Sequence, residues 1–405
     1  MKHKNIAYID RDALKDNYDR IVSLTEENAR EAGRKAPRVI CVVKADAYGH
    51  GIEAVADVLG SAGCDFFAVS SEEEADELRK IETRNGRHPD ILILGRIDPE
   101  NAVAMAEDDI ICAAVSYVNA AELASALKKH NDETGEGLKL RIHVKLDTGM
   151  NRVGFGTDAG SLETTVGEIC KLAGAPELSL CGMFTHFSSA DDELMDGMIV
   201  GGYEDYGGYT GMQLSRFIKV SEMLDERGVD YGIRHTANSA ALLEMPKTYF
   251  DAVRAGVVIY GLMPDGSVRE GFRPVMRFDS TITHIHTVHK GERVSYGAVY
   301  EADREMLVAT VAAGYADGFE RAYGGCEVEI RGRKYRQIGR ICMDQFMVDI
   351  TPRDGEDNEI EVGDPVTLFG GDDGSSANAL AEIAGTINYE VVCKVSKRVP
   401  RVITG

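Results

Sequence analysis

The stretch from Ile40 to Gly51 reads ICVVKADAYGHG. A short run rich in Val and Ile reads as a strand buried on both faces, as in a parallel sheet. Lys44 closes that run, and a polar segment punctuated by glycines follows. A lysine there leaves the core where a binding loop begins. Partial burial lowers an amine's pKa and makes its neutral form a nucleophile toward carbonyl carbon. Most isolated strand-end lysines only extend the stem and hold their charge in water. The rest of the chain has to decide between these readings.

Short apolar runs recur downstream at 39–43, 66–69, 91–94, 110–114, 138–146, 178–185, 231–235 and 250–253. Helical periodicity separates them. Ile52, Val55, Ala56 and Leu59 fall at i, i+3, i+4 and i+7, and Leu214, Phe217, Ile218, Ser221 and Leu224 share one face. Strand–helix alternation calls for a parallel sheet, and eight repeats predict a (β/α)8 TIM-type barrel, although an open doubly wound sheet has the same pattern. Beyond residue 271 the texture becomes mostly β, with runs such as FDSTITHIHTVHK, LVATVAAG, CEVEIRG and FMVDI between Gly and Asp turns, and one helical pattern at 377–384. The reading is therefore α/β, with a barrel domain over 1–271 and a β domain over 272–405. An acidic, glycine-rich excursion, 191–211, follows the sixth strand, where loops face a barrel's active end.

Composition narrows the function classes. The 405 residues are 44% hydrophobic and 28% charged, as expected of a globular protein. With 45 basic and 67 acidic side chains the formal net charge is −22, which repels nucleic acid and anionic membranes. The N-terminus lacks the apolar core of a signal peptide, and no segment has the length of a transmembrane span. The eight cysteines form no CxxC pair and several sit in apolar runs, the pattern of reduced thiols in a cytoplasmic protein.

Polar groups gather at the ends of the other strands. The fifth ends in KLDTGMNRVG, with Lys145 and Arg152; the sixth in THFSSAD, with His186. The seventh ends in HTANSAALL, where Asn238 and Ser239 open a helix whose first amides can take a phosphate. The eighth leads into VRAGVVIYG, with Arg254 beside Gly256. Together with RVSYGAVY, AAGYADG, ICMDQF and NYEVVCKVSKRVPR, these motifs resemble alanine racemase in unbroken order from Lys44 to Arg401.

The resemblance implies an enzyme dependent on pyridoxal 5'-phosphate, with a barrel followed by a β domain. By it, Lys44 holds the cofactor as a Schiff base and is one catalytic base. Tyr296, entering from the partner chain of a homodimer, is the other. Tyr48, Asn238, Ser239, Gly256, Val257 and Tyr389 serve the phosphate. Arg152 faces the phenolic oxygen and the substrate, Arg254 the pyridine nitrogen, and His186 links Arg254 toward Tyr296. Met343 and Asp344 of the partner lie near the substrate carboxylate, and Lys145 matches a position carbamylated in many members. Tyr389 favours alanine over serine. No metal is implied, and the product, D-alanine, goes to peptidoglycan. Ala255 stands where proline is frequent in the family.

The chemistry is coherent. A guanidinium, with pKa above about 12, does not surrender its proton to a ring nitrogen, so the ring remains a weak electron sink and favours reprotonation over side reactions. Inversion needs a base on each face, and lysine and tyrosine, both ordinarily near 10, require tuning. Two alternatives stay open. A barrel-type decarboxylase prefers three consecutive glycines and an acidic partner for the ring, whereas this chain has paired glycines and Arg254. A non-catalytic carrier of the cofactor resembles the barrel alone.

Overall fold

The computed structural model describes residues 4–191, 208–352, 359–370 and 375–405. The chain forms two compact units: one of Tyr18–Asp46 with Val55–Ile259, the other of Met1–Asn17, Ala47–Ala54 and Tyr260–Gly405. The N-terminal strand β1 (Ile6–Asp10) belongs to the second unit, and helix α1 (Arg11–Glu31) follows it.

The first unit is the barrel. Its strands are β2 (Arg38–Val42), β3 (Phe66–Val69), β4 (Asp90–Ile93), β5 (Ile111–Ala114), β6 (Leu140–Asp147), β8 (Leu178–Phe184), β9 (Ile233–His235) and β10 (Ala252–Ala255), with a two-residue β7 (Phe155–Gly156) beside β6. All eight neighbours pair in parallel, in the order β10-β2-β3-β4-β5-β6-β8-β9. Closure comes from the Asp251 amide donating to Arg234 O at 3.0 Å and the Arg254 amide to Ala237 O at 2.9 Å. The eight expected strands therefore form within about two residues of their predicted bounds, and the ring is closed rather than open.

Between strands, local chemistry starts the helices. Ser71 caps α4 (Glu72–Arg84) by accepting from the Glu74 amide, and three glutamates in the first turn suit the positive end of its dipole. Ser116 does the same for α6 (Tyr117–Thr134), which ends at Gly135 in the left-handed region, φ 78°. The remaining barrel helices are α3 (Ile52–Ser61), α5 (Ala102–Glu107), α7 (Leu162–Ala173), α8 (Gly208–Glu226) and α9 (Ser239–Glu244). Residues 208–211 of the predicted excursion open α8, and 192–207 lie outside the described residues.

The segment after β2 departs from any ordinary turn. In Lys44–Tyr48, called α2, residues Ala45 to Tyr48 all have φ between 53° and 54°, a left-handed helical turn without a glycine. Such a conformation costs roughly 1–2 kcal/mol per residue, so its surroundings must hold it. At its start, Glu74 Oε1 accepts from the Ala45 amide at 2.6 Å.

The second unit is an eight-stranded sheet ordered β14 (Met306–Val311), β17 (Phe346–Asp349), β16 (Arg333–Ile338), β15 (Glu327–Ile330), β18 (Pro365–Phe369), β11 (Met276–Val288), β1, β19 (Arg401–Thr404), with a small hairpin of β12 (Arg293–Val294) and β13 (Tyr300–Glu301). Two helices accompany it, α10 (Ser375–Ala384) and α11 (Asn388–Cys393), where the sequence pattern predicted one. Arg401 Nε and Nη2 donate to Gly49 O at 3.0 and 2.8 Å, and its Nη1 and Nη2 also reach Ser396, Val399 and Val395 carbonyls at 2.7 Å each. The exit of the left-handed turn is thereby tied to the C-terminal strand. Arg401→Ala strands several carbonyls at once and should lower stability by about 2–3 kcal/mol, read as a lower denaturant midpoint, while Arg401→Lys recovers only part of that loss.

Candidate active site

Strand alternation puts Arg141, His143 and Lys145 on one face of β6, toward the barrel interior. At the strands' N-terminal ends, Arg38 and Arg141 each donate to Asp90 at 2.7 Å. Midway, His143 Nδ1 lies 2.9 Å from His235 Nε2. At the C-terminal ends stands Arg254, 3% exposed. Its Nη1 donates to His235 O at 2.8 Å and to His235 Nδ1 at 3.0 Å; its Nη2 donates to the carbonyls of Thr185 and Thr236 at 2.8 and 2.9 Å and lies 3.4 Å from His186 Nδ1. Phe184 stacks on His235 at 4.8 Å and carries Lys145 Nζ and the Arg254 guanidinium over its ring at 5.2 and 5.6 Å.

Charge accumulates at this end of the barrel. Burial, then Arg254 and Arg152, bring Lys145 down to about 7 against the pull of Asp147, so much of it is neutral at physiological pH. Burial draws Arg254 down to about 9, which still leaves it charged. His186 lies well below the ordinary imidazole value through burial and then the charges of Arg254, Lys145, Arg152 and Lys44. His235 is neutral for similar reasons, burial leading and Arg254 next. In a chain of net charge −22 this pocket is locally positive, the field an anionic small molecule requires.

Lys44 is half-buried at the head of the left-handed turn. Arg152 is exposed on the loop after β6, where Asp147 Oδ1 accepts from the amides of Gly149 and Asn151 at 3.0 and 2.9 Å and so shapes the path. Asn238 caps α9 by accepting from the Ala241 amide at 3.1 Å, and Ser239 Oγ accepts from the Gly256 amide at 3.0 Å, which ties the β9 and β10 exits together. Gly256 and Val257 are buried. Lys44, Lys145, Arg152, His186, Asn238, Ser239, Arg254, Gly256 and Val257 thus share the C-terminal end of one barrel.

The other predicted residues belong to the second unit. Tyr48 is buried, its ring 6.1 Å from Tyr389 and 5.1 Å from Tyr260, and burial followed by Tyr389 raises its pKa. Tyr296, Met343 and Asp344 line a depression of about 450 Å³ with Ser295, Cys342 and Gln345. Gly314 packs against two of these residues, where a Cβ would lie 2.3 and 2.4 Å from the carbonyls of Cys342 and Met343; the amides of Tyr315 and Ala316 donate to those same carbonyls. Asp344 pairs with Arg398 at 2.7 Å.

Residues 9–264 match the alanine racemase N-terminal domain and residues 275–403 the alanine racemase C-terminal domain. The chain belongs to the alanine racemase family. An alanine racemase of Desulforamulus reducens is 37% identical over all of both chains. The solved alanine racemase of Clostridium difficile 630 superposes with a TM-score of 0.86 at 37% identity, covering 100% of this chain and 96% of that one. That of Bacillus anthracis, solved with bound L-Ala-P, gives 0.83 at 32% identity over 100% and 96%.

Against that family frame, sequence reasoning passed over His143, Phe184, His235 and Gln213. Gln213 is wholly buried and donates to Thr148 Oγ1 and His186 O at 3.3 and 3.1 Å while accepting from the Ser188 amide at 3.0 Å, so α8 locks two strand exits. The spacing of two between His143 and Lys145 was a usable signal, since alternate residues share a face. His235 opens the quoted HTANS run. Nothing local marks Gln213.

The depressed pKa of Lys145 has a stability consequence. Its folded form binds fewer protons than the unfolded chain between about pH 7 and 10.5, so the penalty is full at or below pH 7 and fades as pH rises. In CO2-free buffer, Lys145→Met should raise the melting temperature by a few degrees at pH 7, and that advantage should shrink by pH 10.

Proposed function

We propose that this chain is a pyridoxal 5'-phosphate-dependent alanine racemase that interconverts L- and D-alanine by a two-base route and supplies D-alanine for peptidoglycan. The observation that carries it is the barrel mouth itself: an amine at the end of β2 and a buried guanidinium at the end of β10 in one positive pocket. The names of the relatives support the same activity.

The donor chemistry fits the cofactor. It is an anionic phosphorylated aromatic aldehyde, and the pocket offers a lysine amine, cations and buried donors. Lys44 would hold it through its amine; Asn238, Ser239, Gly256 and Val257, with Tyr48 and Tyr389, would serve the phosphate through amides and hydroxyls, and Arg152 the phenolic oxygen. The cofactor, when bound, supplies a conjugated system that acidifies the α-C–H of the amino acid it carries. Lys44 Nζ then accepts or returns the proton on one face. Arg254 keeps its own protons, because even its lowered pKa lies above neutrality. His186, neutral, lines the path from Arg254.

The second base in this reading is Tyr296 of a second copy. Tyr296 and Met343 are 69% and 53% exposed, beside Tyr315 at 41%, an apolar patch suited to burial against another chain. A homodimer with shared sites accounts for it. Asp344 would contribute its backbone amide, since its carboxylate would repel a substrate carboxylate and is already paired with Arg398. In this reading the domain over 1–271 supplies Lys44 and most of the cofactor's partners, and the domain over 272–405 supplies the second base together with Tyr389. No helix among the described residues is long and apolar enough to cross a membrane, and we place the protein in the cytoplasm. By the family resemblance, Tyr389 would favour alanine, a small substrate, over serine.

Lys145 has the partly neutral amine that carbamylation requires: the amine adds to CO2, releases one proton and becomes an anion among Arg152 and Arg254. Protein incubated with 13C-labelled CO2 should show one carbamate carbon by NMR, absent from Lys145→Ala.

Purified protein should be yellow, bleach with borohydride and form D-alanine from L-alanine. Lys44→Ala should lose colour and turnover together. Tyr296→Phe should stay yellow yet fall about 100-fold or more in both directions; near-normal rates would remove Tyr296 as a base, and colour without D-alanine in the wild type would favour a carrier.

A further inference from the structure

We propose that His143 is a positioning residue for the racemase site, fixing the tautomer of His235 so that only an acceptor faces Arg254. The inference rests on the racemase reading for its kinetic consequence, but its geometry stands alone.

The argument is one of hydrogen-bond parity. Arg254 carries five N–H donors and no acceptor. Its Nη1 lies 3.0 Å from His235 Nδ1, so that nitrogen must be the unprotonated one. A neutral imidazole then carries its proton on Nε2, and His235 Nε2 is 2.9 Å from His143 Nδ1. His143 Nδ1 therefore accepts, and the proton of His143 sits on its own Nε2. Each assignment forces the next. Both rings are essentially solvent-free, His235 at 0% and His143 at 1% exposure, so water cannot satisfy a wrong tautomer.

The barrel is shaped for this contact. At Gly182 an added Cβ would lie 2.3–2.5 Å from His143 ring atoms, so the ring occupies space that only a glycine leaves. Phe66 meets its edge at 6.2 Å, and Phe184 stacks on His235 at 4.8 Å. The pair is held from three sides. Its effect is to commit both nitrogens of the Nη groups: Nη1 to His235 and Nη2 to the Thr185 and Thr236 carbonyls, with His186 beside it. Among the described residues, Nε–H is the donor left over for a bound ring. Without His143, Nδ1 of His235 can take the proton and point a donor at a donor, and the guanidinium loses its seat.

The test begins with the wild type. Long-range proton–nitrogen NMR of 15N-histidine-labelled protein, with and without cofactor, should show His235 as the Nε2–H tautomer; an Nδ1–H signal would overturn the proposal whatever any variant does. His143→Asn returns an acceptor near the same position, and His143→Leu removes it. The expected pattern is a pure Nε2–H signal in His143→Asn and a mixed or broadened one in His143→Leu. The absorption maximum of bound cofactor should shift in His143→Leu alone, where kcat falls about tenfold or more with KM little changed. Equal behaviour of the two variants, or an unaltered tautomer and spectrum in His143→Leu, would refute the role. If the wild type makes no D-alanine, the racemase reading fails, while the tautomer result still decides this one.

Discussion

A buried guanidinium seated entirely on neutral acceptors is the constraint that organises the barrel mouth. Arg254 is nearly solvent-free, and its partners are the carbonyls of Thr185, His235 and Thr236 and the imidazoles of His235 and His186. Burying such a charge without an anion is costly unless its donors are met. The interior polar column of β6 and the β8–β10 exits meet that cost. The same arrangement leaves a cation at the place where the proposed reaction needs a donor that does not release its proton. Burial first, and then the charge of Arg254, hold Lys145 and His186 below their ordinary values.

The second constraint is backbone strain at Lys44. A left-handed turn of four non-glycine residues does not persist by itself, and Glu74 secures its first amide. Strain held at a lysine that ends a barrel strand is the kind of local exception expected of a functional site. The polar ladder below it, from the Arg38–Asp90–Arg141 ion pairs upward, stiffens the scaffold from which that turn projects.

Much of this was legible in the sequence. Strand positions followed from apolar runs of four to nine residues, and the cluster at the strand ends followed from the motifs after each run. The left-handed turn was not readable, because aspartate visits positive φ only as a single residue and alanine and tyrosine disfavour it, so four in succession are imposed by tertiary contacts. β1 was missed because five residues at the N-terminus pair with strands hundreds of positions away. α11 was missed because six residues make too short a period to recognise. His143 shares a strand face with Lys145, a signal of position but not of role, and Gln213, which acts through groups of two strand exits, carries no local mark at all.

The central claim of the proposed mechanism is that Lys44 of one chain and Tyr296 of another act on the same substrate. Refolding an equal mixture of the two inactive variants, Lys44→Ala and Tyr296→Phe, tests it. Random pairing of a two-fold dimer makes half of the assemblies mixed, each with one intact site, so about a quarter of wild-type racemisation should return. A mixture as inactive as its parents, with mixed dimers shown to be present, would contradict the account.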